Sequence, residues 1–496
     1  MKKIKYIIYL FVALFATTSC EDFLNITPEG QSKRDPQLST PQGIEDAMYG
    51  VYSQLRSPSL YGQELHFQTI EVLAHNLHCA GRTTIEALGK FEYENTSVKS
   101  IFDGMWTAMY KNISNVNSVL DAPLVAEANG YPYTIYRGEA LGLRAFMHFD
   151  LVRLFAEQYT VNPEAEGIPY ATEFSLKTPD FESLAKNYEH ILKDLHEAEA
   201  LLENEDDYEN ASNFMLDRQI HFNKRAVWAT LARVYMTKGD KENAAKYAKK
   251  VIDDGKYILK EKTEVQDDLA GVLSRKECIF GIYYPGLYEN VYAILQQTTT
   301  RYSLNLRNDY ATIYERDNSG NDFRINAYFS AAVGSSDVYR LSKLTNIYEL
   351  RDEATPDYLI RGLNMIRIPE MYYILAEALL ESDYNAAIGY YNAVREHRGL
   401  IALGEEPDEP EDSESSDSES SEPETVAEEN VVGDDLLTIA RINDERFKEY
   451  IGEGQTFFNM KRLNLPIVSF DGATTYAASK NIYVVPVPDA EKENRY

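Results

Sequence analysis

The sequence predicts a mostly α fold, a scaffold of paired, repeating helices interrupted by a loop-rich α+β excursion. Three observations carry this expectation. From about residue 42 onward, apolar residues recur at three- and four-residue spacing through most of the chain. Two long segments repeat one design, in which small residues flank a tight turn between helices. Residues 255–365 break the pattern with Tyr, Asn, Thr and Gly and few long periodic stretches.

At the start, Lys2, Lys3 and Lys5 precede an apolar run from Tyr6 to Ala16, and Thr17, Thr18 and Ser19 lead into Cys20. A basic start, a short greasy run and small residues form the layout of a secretory signal over 1–19, and the run is too short to span a bilayer. A signal that ends directly on cysteine resembles the bacterial lipoprotein signal, although Thr17 stands where that signal usually carries leucine. The resemblance implies that Cys20 receives a diacylglycerol and becomes the new N-terminus. Glu21 and Asp22 resemble the acidic export signal that sends such lipoproteins to the cell surface in some Gram-negative bacteria. The expected mature domain, 20–496, is therefore anchored to the membrane and not inserted in it.

The helices follow in order. Ala47, Met48, Val51, Tyr52 and Leu55 form one stripe, and Trp106, Met109, Tyr110, Ile113, Val116 and Leu120 form another. In "GEALGLRAFMHFDLVRLFA" (138–156), Leu141, Ala145, Phe149 and Val152 line one face, and "YEHILKDLHEAEALL" (188–202) reads as a further helix. In 223–253, Leu231, Ala232 and Tyr235 precede a Gly-Asp turn, and Ala244 and Ala248 follow it. This resembles the tetratricopeptide pattern, in which small residues let two antiparallel helices approach closely. Residues 371–399 repeat it with Leu375, Ala376 and Leu379, a Ser-Asp turn, then Ala387 and Tyr391. Trp106 and Trp228 sit on helical stripes and are expected in the core.

Charge and cysteine use narrow the function. The chain carries 49 Lys and Arg against 79 Asp and Glu, a net charge of −30, which disfavours binding to nucleic-acid phosphates. Thirteen of those acids fall in residues 405–429 with no Lys or Arg among them. The stretch 404–430, rich in Ser, Glu and Asp, holds too little apolar surface to order itself and reads as a disordered, solvated insertion between helices. Cys79 and Cys278 can pair or stay as buried thiols, and a fold this large, which needs no single staple, favours thiols. No Cys/His cluster has zinc spacing, and no phosphate-binding glycine loop or nucleophile elbow is present, so neither a metal nor a cofactor is expected.

Taken together, five segments resemble the SusD/RagB family of outer-membrane nutrient-binding lipoproteins. They are "CEDFLNITPEG" after the signal, "GEALGLRAFMHFDLVRLF" followed by "GIPYAT", "NKRAVWATLARVYMTKGD", "NDERFKEYIGEGQTFFNMKRL" (443–463) and "NIYVVPVPDAEKEN". In the fourth, Glu445, Arg446, Glu449, Glu453, Gly454 and Arg462 fit the family pattern, while Thr456 and Asn459 depart from it and are expected to loosen a structural polar network. The resemblance implies a SusD-like fold over 20–496 and no enzymatic activity. It further implies a cell-surface protein that captures glycan, in some members peptide, and delivers it to a SusC-like TonB-dependent outer-membrane transporter. The competing readings are the same architecture binding peptides and a tetratricopeptide adaptor that binds only proteins.

A sugar binder needs flat aromatic faces for the apolar sides of pyranose rings, with amides, carboxylates and Arg nearby for the hydroxyls. The 37 tyrosines suit this chemistry. Outside the expected helices the densest mixture lies at 283–310, with Tyr283, Tyr288, Tyr292, Arg301 and Tyr302 as candidates. A second lies at 75–95, with His78, Arg82 and Tyr93. Asp322 and Arg324 read as a structural ion pair.

Overall fold

The computed structural model describes residues 37–79, 81–122, 133–177, 179–261, 264, 273–295, 305–307, 313–314, 322–331, 339–344, 361–404 and 436–493. The expected signal, Cys20 and the acidic stretch beyond Gly404 lie outside these residues. Helix α1 (Pro41–Leu55) starts on Thr40, whose hydroxyl accepts from Gly43 N at 3.1 Å. Pro41 sits where a missing N–H costs nothing. The helix buries Met48, Val51 and Leu55 and leaves Ala47 and Tyr52 at the edge of the same stripe. Helix α2 (Thr69–Leu73), strand β1 (Leu77–His78) and helix α3 (Thr83–Gly89) lead to α4 (Thr96–Leu120), which is capped by Asn95 and turns Trp106, Met109, Ile113 and Val116 inward.

Helix α5 (Tyr133–Phe155) departs from its expected single apolar face, because it is buried nearly all round. It packs against α1, α4 and α6 (Leu184–Leu201), which follows the antiparallel pair β2 (Glu166–Pro169) and β3 (Phe181–Ser183). Its polar residues survive inside because each is matched. Arg144 forms a two-point bridge to Asp194 at 2.7 and 2.8 Å, and Tyr61 donates to Asp150 at 2.7 Å. Burial disfavours a charged Glu139, but Arg218 and His221 overcome it and bring the carboxyl down to about 2. Close approach also explains Gly142, where a Cβ would sit 2.4 Å from the Phe222 ring.

The next pair is α7 (Lys224–Lys238) and α8 (Lys241–Asp254). Asn223 caps α7, accepting from Arg225 N and Ala226 N, and Gly239 closes it at φ +86° before Asp240 caps α8. Strand β4 (Cys278–Tyr283), helix α9 (Leu287–Leu295), strand β5 (Asn305–Leu306), helix α10 (Arg324–Tyr328) and strands β6 (Phe329–Ala331), β7 (Tyr339–Leu341) and β8 (Gly362–Arg367) follow. Then come α11 (Ile368–Leu379) and α12 (Tyr384–His397). Helix α8 packs on both α7 and α11, and α11 on α12, with Ala244, Ala248 and Ala387 fully buried between them. Trp228 is half-buried at the margin of this stack and not in the core, with the Lys250 ammonium 4.2 Å from its ring. Lysine stems at its edge keep that face partly covered. Cys79 and Cys278 are both buried and are not joined in a disulfide.

Among the described residues strands pair in twos: β4 with β8, β6 with β7, β2 with β3, β1 with β5, and β9 (Ile467–Val468) with β10 (Thr475–Tyr476). Helices α13 (Ile439–Tyr450) and α14 (Thr456–Arg462) precede that last hairpin, and α15 (Lys480–Tyr483) and α16 (Asp489–Glu493) follow it. Such small sheets need outside support, and a buried charge hub supplies it. Glu449 accepts from Arg367 at 2.6 Å, from Arg398 at 2.9 and 3.0 Å and from Arg324 at 3.3 Å. Glu277 at the foot of β4 binds Arg398 at 3.0 Å, Glu453 binds Arg367 and Lys343 at 2.9 and 2.7 Å, and Glu445 binds Arg324 at 2.8 Å. Asp322 and Arg324 are the expected ion pair at 2.8 Å, here as one arm of the hub. Three acids of the 443–463 signature, Glu445, Glu449 and Glu453, thus join the strand-bearing part to the helices. Gly454 has φ +69°, and a Cβ there would lie 2.6 Å from Leu65 O.

The two departures in that signature behave differently. Asn459 does not loosen the network. Its Oδ1 accepts from Arg462 at 2.7 Å and Arg446 at 3.4 Å, and its Nδ2 donates to Asn443 at 2.8 Å. An amide oxygen does the accepting that a carboxylate would. Thr456 leaves a buried hydroxyl with no hydrogen-bond partner among the described residues.

Candidate aromatic binding site

The two candidate stretches, far apart in sequence, meet in one antiparallel pair. Leu77 faces Leu306, His78 faces Asn305, and Arg307 N donates to Asn76 O at 3.0 Å. A third segment completes the site. The β9–β10 hairpin carries Phe470 at its turn, and the His78 ring lies flat on Phe470 at 3.8 Å between centroids and 6° between planes. His75 stacks on Tyr476 at 5.4 Å, and Phe91 meets both His75 and Tyr476 edge-on or tilted at 5.6 and 5.1 Å.

Local structure explains why these rings stay fixed. Helix α2 ends at Leu73, and His75 turns the chain with φ +57°; Phe91 does the same after α3 at φ +59°. Left-handed backbone at non-glycine residues is rare and costs of the order of 1–3 kcal/mol, so both are held by their surroundings. The hairpin tip is tied internally: Ser469 Oγ donates to Asp471 at 2.6 Å, Ala473 N donates to Asp471 at 3.0 Å, and Thr474 N donates to Ser469 Oγ at 2.9 Å. Phe470 N donates to His75 Nδ1 at 3.3 Å, which makes that nitrogen an acceptor. Burial accordingly lowers His75 to about 4, leaving it neutral at physiological pH. Phe470, Tyr476 and His78 remain half-exposed. Flat aromatic edges and faces held at the surface can receive the apolar face of a ring-shaped ligand. Arg307 and Asp471, both near enough to influence His75, add a cation and a carboxylate for polar groups.

The remaining candidates scatter. Arg82 is half-buried just before α3. Tyr93 is taken into the interior: it is buried, its hydroxyl donates to Ile482 O at 2.6 Å, and its ring meets Phe91 and Phe102 edge-on. Tyr288 is likewise buried, on the inner side of α9, so neither offers an open face. Tyr283 is 48% exposed at the end of β4, which belongs to a different sheet from β1 and β5. The side chain of Tyr292 and all of Arg301 and Tyr302 lie outside the described residues. Sequence reading missed Phe470, Tyr476 and Arg307. The first two had a signal, since "SFDGATTY" is an Asp-Gly turn between short apolar and aromatic stretches, a hairpin pattern.

Among the described residues, no cluster of His, Cys, Asp and Glu could hold a metal ion, and no helix is long and apolar enough to cross a membrane. Residues 22–236 match the family model described as starch-binding associating with outer membrane, and residues 287–494 match the model of the SusD family. The chain is 24% identical to SusD-like protein P2 of Formosa agariphila over 534 aligned residues, covering 98% of this chain and 97% of that one. Among solved structures it is similar to a SusD superfamily protein from Bacteroides thetaiotaomicron, with 21% identity, a TM-score of 0.70 and coverage of 91% and 97%. It is also similar to a SusD-like carbohydrate binding protein from Bacteroides vulgatus, with 18% identity, a TM-score of 0.69 and coverage of 91% and 96%.

Proposed function

The chain belongs to the SusD/RagB family, and from that premise we propose that it is a non-enzymatic, cell-surface binding lipoprotein that captures glycan through the His78–Phe470–Tyr476 cluster. The observation that carries this reading is the convergence of three distant segments on one half-exposed aromatic surface. A packing cluster has no need of strained backbone at His75 and Phe91 or of a tied hairpin tip to hold its rings at the solvent boundary. Pyranose C–H faces stack on such rings, and Arg307 and Asp471 complement their hydroxyls. Carbohydrate binding in a similar structure supports the ligand class.

In this proposal Cys20 carries the lipid that tethers the protein to the outer membrane, facing outward. The captured glycan passes to a SusC-like TonB-dependent transporter beside it. Incorporation of labelled fatty acid, lost in Cys20→Ser, tests the anchor; co-purification of a large outer-membrane barrel tests the partner.

The ligand is tested by calorimetry and affinity electrophoresis across neutral and acidic polysaccharides and a peptide panel. Phe470→Ala should weaken glycan binding about 3- to 10-fold, the range expected for losing one aromatic stacking contact. Binding of peptides with silence from every glycan would overturn the proposed ligand class.

A further inference from the structure

The hairpin that completes the aromatic surface is closed within itself and only lightly joined to the body of the protein. Across its tip, Ser469 N donates to Thr474 O at 2.8 Å and Gly472 N donates to Ser469 O at 2.9 Å. Among the described residues, one hydrogen bond joins 468–476 to the rest of the chain, from Phe470 N to His75 Nδ1 at 3.3 Å. The rings of the hairpin reach the same side chain. Buried His75 lies near-parallel to Phe470 at 6.5 Å and to Tyr476 at 5.4 Å, and Phe91 backs it at 5.6 Å. His78 stacks on Phe470 from its half-exposed position, so the seat of Phe470 depends on the buried histidine and its face meets the outer one.

This tie exists in one protonation state. Nδ1 accepts a hydrogen bond only while the ring is neutral, with its hydrogen on Nε2. A second proton sets one N–H against another and removes the tie. The surroundings resist that proton: burial is the largest cause, and Arg307 on β5 and His78 on β1 add to it. The Gly89 backbone at the end of α3 and Asp471 in the hairpin favour the charged form but do not overcome burial, and His75 is held at about 4. Tyr476, the other titratable neighbour, presents its ring. Once the tip opens, water reaches the imidazole, which returns toward its usual value of about 6.5. The closed tip is therefore fully favoured above about pH 6.5 and loses ground as pH falls toward 4.

We propose that His75 is a positioning residue for the aromatic surface: neutral, it seats Phe470 against His78, and protonated, it releases the hairpin and takes the surface apart, so that bound ligand leaves on acidification. The release of ligand rests on the glycan reading of the cluster. The seating of the hairpin stands without it.

Hydrogen–deuterium exchange of the full chain without ligand, read by mass spectrometry between pH 7 and pH 4 and corrected for intrinsic rates, tests it. Protection over 468–476 should fall about 100-fold across this interval, the change expected when closing the tip moves the imidazole from about 6.5 to about 4. His75→Asn places an amide oxygen where Nδ1 lies, adopts φ +57° readily and takes up no proton. Its hairpin should stay within about threefold of its neutral-pH protection, with the buried carboxylates and every other histidine unchanged. His75→Leu, of similar bulk and with no acceptor, should already exchange fast at pH 7. The readout involves no glycan, so a failure to bind any polysaccharide would overturn the ligand reading and leave this result standing. Constant protection in the wild type, an equal acid loss in His75→Asn, or full protection in His75→Leu at pH 7 would each overturn the role of His75.

Discussion

Replacing Glu449 with Gln keeps the shape of the hub's central side chain and removes its charge. Glu449 accepts five side-chain hydrogen bonds: from Arg367, Arg398 and Tyr328 at Oε1, and from Arg398 and Arg324 at Oε2. A glutamine offers one oxygen, so whichever way it turns, its NH₂ faces two guanidinium donors. Hydrogen bonds to charged groups contribute about 1.5–3 kcal/mol each, which puts two lost bonds at about 3–6 kcal/mol. The cations are not stranded, however. Arg367 keeps Glu453 at 2.9 Å, Arg398 keeps Glu277 at 3.0 Å, and Arg324 keeps Asp322 and Glu445, both at 2.8 Å. The lower end is therefore expected, about 3 kcal/mol, in the range for breaking a buried ion pair. Urea denaturation followed by far-ultraviolet circular dichroism at pH 7 measures it. Asp253→Asn serves as the control, since it breaks an exposed pair with Lys249 and should shift nothing measurable. A loss below about 1 kcal/mol in Glu449→Gln would refute the claim that this carboxylate organises the interior.

Acid should unfold the protein through the same groups. Glu277, Glu445, Glu449 and Glu453 all titrate below the ordinary carboxylate range, because their arginine and lysine partners outweigh burial; Glu377 is brought to about 2. Their stabilisation is complete above about pH 4.5 and is lost as pH falls toward 2, which urea midpoints across that interval will read. Glu71 has the opposite sign: burial raises its carboxyl to about 7, so its ionisation costs stability as pH rises from about 4.5 to 7. Glu71→Gln should therefore raise the urea midpoint at pH 8 and change it little at pH 4, with Asn76 turning its unmatched Oδ1 toward the new amide. Gly454→Ala, forced to φ +69° with its Cβ 2.6 Å from Leu65 O, should cost at least about 2 kcal/mol in the same assay. Lys461 donates to Arg153 O and Ala156 O at the end of α5, both at 2.6 Å; Lys461→Met orphans two buried carbonyls and should cost about 2–4 kcal/mol.

Helices were legible because periodicity is local: the stripe through Met48, Val51 and Leu55 and the small residues Ala244 and Ala248 fall where the spacing puts them. The total burial of α5 was not, because Glu139, Arg144 and Asp150 read as a polar face until Arg218, Asp194 and Tyr61 arrive from elsewhere in the chain. The candidate aromatic surface was half legible. Residue type pointed to His78, but its stacking partner lies far along the chain, and only the fold brings Phe470 to it. Tyr93 and Phe470 are equally plausible as single letters; what separates them is whether the ring is turned inward, and composition carries no such information.

The junction between α12 and α13 has a practical use. Arg395 on α12 and Glu445 on α13 meet at 3.3 Å inside the hub, and Arg398 and Glu449 close the same gap. Once two anchors are fixed by buried ion pairs, the entropic cost of the chain between them grows only logarithmically, about 0.6 kcal/mol for each doubling of its length. The stretch from 405 to 430 can thus be cut out, or exchanged for an epitope, a fluorophore-binding tag or a whole small domain, at a cost of about 1 kcal/mol or less. That makes it a natural grafting point for cargo.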